Sequence, residues 1–129
     1  MKKVTFFLIL VQALIASQLM AQEIGKAAPD FSLAVLGGGS YTLSEHTGKM
    51  VVIYAIGYNC PFCISSGPFV QEKLVDPYKQ YENYMVIGID IWDGSSAAVT
   101  TFKNTTGMDI PFLINGSSFA SLYNSVQDR

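Results

Sequence analysis

Residues 51–63 read Val-Val-Ile-Tyr-Ala-Ile-Gly-Tyr-Asn-Cys-Pro-Phe-Cys. The first six, VVIYAI, form a continuous apolar, β-branched run, the pattern of a strand covered on both faces. Three loop residues follow, and Cys60-Pro61 then opens a predicted helix that runs to about Tyr81 and is kinked by Pro68. A cysteine in that place meets the unpaired N–H groups and partial positive charge of a helix N-terminus. Pro61 suits the first helical turn, where its missing N–H would have been unpaired anyway. An unperturbed thiol of pKa ~8.5 is about 3% ionised at pH 7, and lowering it to ~7 makes that about half. Cys60 is therefore the candidate nucleophile. Cys63, one turn further on, is placed to attack a mixed disulfide and release the partner. Phe62 brings no charge, so the helix terminus and the loop must stabilise the thiolate.

Two bland readings compete with this one. A structural disulfide across four residues removes only roughly 2 kcal/mol of unfolded-state entropy, against ~3 for a loop of 15. A zinc site would need ligands beyond two cysteines and His46, the single histidine. His46 falls on a turn predicted to be exposed and reads as a surface residue. Asp90 and Asp93 form no metal pattern with a third ligand, and no cofactor is implied.

Outward from the motif, Tyr84–Ile91 (YMVIGIDI) is a second buried strand, and Trp92-Asp93-Gly94 turns the chain. Ser95 or Ser96 caps a helix that stops near Gly107. Ile110–Ile114 is short and apolar, Asn115-Gly116 a turn, and Ser117 begins a last helical stretch to about Asn124. Upstream, Pro29–Leu33 reads as a brief extended segment, Gly37–Ser40 as a hairpin turn, and Tyr41-Thr42-Leu43 resumes an extended course. Strands alternating with helices predict an α/β domain with parallel pairing. Trp92, at the same end of its strand as Cys60, either lines a substrate groove or packs under the loop, and Tyr54 and Tyr58 flank that loop. No internal repeat or linker between domains interrupts this order.

The whole chain has 129 residues, with 8 Lys+Arg against 10 Asp+Glu. A net charge of −2 excludes the broad positive field of a nucleic-acid binder. With 50% apolar and 14% charged residues, it is not a disordered chain. Lys2 and Lys3 precede an apolar stretch, Val4–Ala16, broken only by Thr5 and Gln12. That is short of the ~20 residues needed to span a bilayer and fits an export signal, residues 1–21, cleaved after Ala21. Leu19 is larger than usual for its place in such a site, and an uncleaved N-terminal anchor is the alternative. Cleavage leaves one domain, residues 22–129, with a charge of −4 and no stable membrane span. Export puts both cysteines where disulfides persist.

These residues resemble the thioredoxin-fold redoxins of bacterial envelopes, the TlpA-like and AhpC/TSA-type thiol–disulfide oxidoreductases. The resemblance runs from about Gly25 to the last residue. It rests on Ala28–Leu33, Thr42–Ser44, Gly48-Lys49, VVIYAI with Cys60–Cys63, Pro68 and Val86–Asp90. It implies a thioredoxin-like fold in which Cys60 attacks and Cys63 resolves. It implies a protein disulfide as substrate, an upstream thiol reductant, and a periplasmic or secreted location. The sequence departs from the family in three places. Asn59 stands where a tryptophan is usual, and Tyr54 where a buried acid often sits. The family's C-terminal hairpin and last helix have no counterpart here, which implies an incomplete fold and a fragment or truncated product. Without that hairpin the VVIYAI strand keeps an open edge, so marginal stability or an edge-paired dimer is expected. Peroxide reduction ranks second, because Gly57 replaces the threonine that peroxiredoxins carry three residues before the reactive cysteine. A metal- or thiol-binding module ranks third, because copper carriers of this fold space their cysteines by three and use a distal histidine.

Overall fold

The computed structural model describes residues 25–123, so the expected export signal over residues 1–21 lies outside the described residues. Five strands form one sheet in the order β2-β1-β5-β4-β3. They are β1 (Ser32–Val35), β2 (Ser40–Thr42), β3 (Met50–Ile56), β4 (Tyr84–Asp90) and β5 (Phe112–Ile114). β3 runs parallel to β4 and β4 parallel to β5, while the β1–β2 hairpin joins antiparallel through β1 and β5. The three helices are α1 (Pro61–Val70), α2 (Ser96–Thr106) and α3 (Ser117–Leu122).

Strand β4, inside the sheet between β5 and β3, divides the core by its alternation. Ile87 and Ile89 of β4 face a cluster with Phe31, Leu33, Leu113 and Phe119. Val86 faces the opposite cluster, with Val70 of α1, Val99 and Phe102 of α2, and Phe112. Gly88 sits under the Phe112 ring, where a Cβ would come within 2.6 Å of ring carbons.

The predicted elements are present, with two differences. VVIYAI is not covered on both faces: β3 is an edge strand, and Val51, Val52, Ile53 and Tyr54 are each half-buried. The reason is its place in the sheet, with β4 alone beside it among the described residues. The long helix expected to reach Tyr81 ends as an α-helix at Val70, two residues past Pro68, and unwinds into a wider π turn, Gln71–Val75. Pro68 has no N–H to give the Ile64 carbonyl, so the ladder is already interrupted where the winding loosens. Ser95 caps α2 by accepting the Ala98 N–H, and Gly107 stops it at φ +67°, as expected.

Candidate active site

The strand–loop–helix unit places Cys60 as the N-cap of α1. Its backbone is extended (φ −75°, ψ 116°), and its Sγ accepts the Cys63 N–H at 3.4 Å. Pro61 occupies the first helical turn, as its fixed φ requires. The Cys60 N–H donates to the Gly57 carbonyl at 2.9 Å, closing the loop just ahead of the helix. Both cysteines are free thiols and partly exposed. Beside them Phe62 projects into solvent, 77% exposed.

The two thiols differ in chemistry. Cys60 is held below the ordinary thiol range, chiefly by its hydrogen bond with the Cys63 thiol and then by the Cys63 and Phe62 backbone, against a slight opposing burial. Cys63 is pushed up to about 11, first by burial and then by the neighbouring Cys60 sulfur, with a hydrogen bond from the Gly57 backbone opposing. The two thiols are thus split, the more exposed Cys60 held low and the more buried Cys63 held high.

The Cys63 shift has a signed consequence for the reduced protein. Burial pushes its thiol from the ordinary value near 9 up to about 11 in the folded chain. The contribution to folded-state stability is therefore complete below pH 9 and is lost as pH rises from 9 to 11. Cys60, shifted the other way, contributes nothing further in that window. Urea unfolding should show the reduced chain losing about 1 kcal/mol relative to the disulfide form between pH 9 and 11, the partial exposure of the thiol discounting the full shift. Equal pH dependence of the two forms would contradict this ordering.

Tyr54, at the position where an acid was expected, lies beneath the first turn of α1. Its hydroxyl donates to the Cys63 carbonyl at 3.1 Å and lies 2.8 Å from Ser66 Oγ. Burial, then the nearby thiols, raise its pKa. Trp92 packs under the loop: its indole lies against Gly57, where a Cβ would fall within 2.3 Å of the ring. Tyr58 meets the same indole edge-on at 6.4 Å. His46 departs from the exposed position expected of it. It is half-buried, stacked on Tyr41 at 4.4 Å between ring centres, far along the chain from the cysteines.

Sequence reading gave Asp90 no role. The structure buries it completely at the C-terminal end of β4, opposite Ile56 of β3. Its carboxylate accepts backbone N–H groups from Tyr58 (3.0 Å), Trp92 (3.4 Å) and Gly94 (2.6 Å). No sequence signal marks this, because the donors come from two loops that only the parallel β3–β4 pairing brings together. No group of three or more candidate metal ligands occurs among the described residues.

This curled sheet, with a dithiol at the mouth of a strand–helix turn, defines a thioredoxin-fold redoxin. The AhpC/TSA family matches residues 24–129, and the chain belongs to it. The thiol-disulfide oxidoreductase ResA of Bacillus thuringiensis is 32% identical over 93 residues, 72% of this chain and 52% of that protein. A solution structure of a candidate protein disulfide isomerase from Bacteroides thetaiotaomicron is 29% identical, with TM-score 0.67, covering 74% of this chain and 59% of that one. Peroxiredoxin Q of Xanthomonas campestris shares the fold at 20% identity and TM-score 0.63, covering 77% of this chain and 61% of its own. The chain spans about half the length of the curated relatives it matches.

Proposed function

We propose that this chain carries the dithiol of an exported thiol–disulfide oxidoreductase that reduces or exchanges protein disulfides through Cys60 and Cys63. The observation that carries the reading is the asymmetry of the pair: an accessible N-cap thiol held low, and a second thiol one turn on held high. The Cys60 thiolate attacks one sulfur of a substrate disulfide, forming a Cys60–substrate disulfide and expelling the other sulfur as a thiolate that takes up a proton. Cys60 then no longer carries the charge that helps hold the Cys63 proton. Cys63 ionises and attacks Cys60 Sγ, and the second substrate thiol leaves. The substrate gains two electrons and the chain ends with a Cys60–Cys63 disulfide. An upstream dithiol reductant returns it to the reduced form.

The leader at residues 1–21 supports a periplasmic or secreted location, and no helix among the described residues is long and apolar enough to cross a membrane. Equilibration with glutathione buffers, read by alkylation and mass, tests the activity. A native dithiol should differ from the same chain in denaturant by at least about tenfold in its equilibrium constant, 30 mV for two electrons. Identical values would mean that these residues do not tune the pair. A peroxide-consumption assay run beside it separates disulfide exchange from peroxide reduction.

The edge of β3, unpaired among the described residues, supports a second copy as partner. Met50, at its start, is 65% exposed, and apolar surface flanks the strand on both faces, with Val52, Leu74 and Tyr78 on one and Val51, Ile53 and Leu43 on the other. Sedimentation should show concentration-dependent dimerisation that Met50→Lys suppresses. A wild-type monomer at every concentration would exclude it.

A further inference from the structure

The loop that presents the dithiol has its strongest anchor outside itself, in the buried carboxylate at the end of the neighbouring strand. We infer that Asp90 is a positioning residue for the dithiol: by clamping the Gly57–Asn59 loop to the Trp92–Gly94 loop, it holds Cys60 in the extended N-cap conformation from which its sulfur meets the first turn of α1. The inference rests on the dithiol reading given above.

The chain of contacts is short. Asp90 Oδ1 accepts the N–H of Tyr58 on one loop and of Trp92 on the other, and Oδ2 accepts that of Gly94. The indole of Trp92, whose backbone N–H the carboxylate accepts, closes over Gly57 so tightly that no side chain fits there. Gly94 is equally confined, since a Cβ would meet the Tyr58 ring at 2.4 Å and Asp90 Oδ2 at 3.0 Å. Gly57, held between these groups, accepts the Cys60 N–H through its carbonyl and gives Cys63 a hydrogen bond from its backbone. The carboxylate thus holds the Gly57–Tyr58 peptide, whose carbonyl accepts the Cys60 N–H, and with it the residue whose own N–H reaches Cys63.

The chemistry of the site supports a dedicated role. A fully buried carboxylate is costly unless its oxygens are satisfied. Asp90 has no cationic side-chain partner among the described residues and is compensated by backbone N–H groups alone. Three donors from two loops need an acceptor with two oxygens, and asparagine offers only one. A negative charge near a thiol would by itself disfavour the thiolate, so charge and anchoring make opposite predictions.

The test compares wild type, Asp90→Asn and Asp93→Asn in the full chain. Asp93 lies in the same turn, but its carboxylate accepts the Ser117 N–H and does not touch the dithiol loop. Iodoacetamide labelling of Cys60 at pH 7 and equilibration with glutathione are read for each. Asp90→Asn should slow Cys60 labelling about threefold or more and shift the glutathione equilibrium, because the thiolate loses its N-cap geometry. Asp93→Asn should leave both near wild type. Faster labelling in Asp90→Asn would mean the carboxylate acts only as a charge, and unchanged labelling that it does not position the loop; either overturns the inference. A wild-type Cys60 no more reactive than a denatured thiol would overturn the dithiol reading itself, and this inference with it. If Asp90→Asn does not fold, amide hydrogen exchange in the wild type decides. The Tyr58 and Gly94 amides should open together with that of Cys60 and as slowly as β4, whereas free exchange at Tyr58 would overturn the inference.

Discussion

Cys60→Ser should lower disulfide exchange by at least about 10³-fold, while Cys63→Ala should leave the first attack intact and accumulate a mixed disulfide on Cys60. The asymmetry follows from the site. Cys60 is at the helix terminus beside an exposed Phe62, where an incoming disulfide can approach its sulfur. Cys63 is more deeply placed, and its thiol keeps its proton to about pH 11. Single-turnover reaction with a disulfide-bonded peptide, quenched in acid and read by intact mass, separates the cases. A Cys60→Ser chain that still forms an adduct through Cys63 would reverse the assignment. A Cys63→Ala chain that turns over repeatedly without a trapped adduct would remove the resolving role.

The second large effect lies in the core that supports this loop. Phe112 of β5 is 1% exposed, meets Phe102 of α2 edge-on at 5.8 Å and covers Gly88 of β4. Phe112→Ala should cost about 3–5 kcal/mol, a large part of the ~5–15 kcal/mol that holds a small domain together. Gly88→Ala should cost about 1–3 kcal/mol for the opposite reason, a methyl forced to 2.6 Å from the ring. The two defects occupy the same space, so Gly88→Ala combined with Phe112→Ala should cost less than the sum of the two single changes. Urea midpoints of the four chains test this. Strict additivity would mean that the Gly88–Phe112 contact does not limit the packing there.

Much of this was legible in the letters. A β-branched run followed by Cys-Pro-x-Cys specifies both a strand and a helix start, and local rules sufficed for the Cys60 cap, the Ser95 cap and the Gly107 stop. Edge placement was not legible in VVIYAI itself, because composition reports what a strand would bury and not whether neighbours supply the cover. The expectation of an edge came instead from the resemblance, in which the C-terminal hairpin without a counterpart here would lie beside this strand. The end of α1 at Val70 was missed because Pro68 signals an interruption without fixing how the next turn winds. His46 was misplaced because its stacking partner, Tyr41, lies on a different element. Asp90 was missed for a related reason: it read as one charged letter within an apolar strand, and its donors at Tyr58 and Gly94 are brought together only by strand pairing.

The way the hairpin enters the sheet also sets a timetable for how the protein is made. β1 and β2 join the sheet only through β5, whose paired residues lie about 80 positions later in the chain. At roughly 5–20 residues per second, the ribosome delivers that stretch some 4–16 s after the hairpin. Until then Phe31, Leu33 and Tyr41 wait without their partners Leu113 and Phe119. The nascent hairpin is therefore the segment a chaperone or translocation factor would find apolar and unclaimed, and the arrival of β5 ends that exposure.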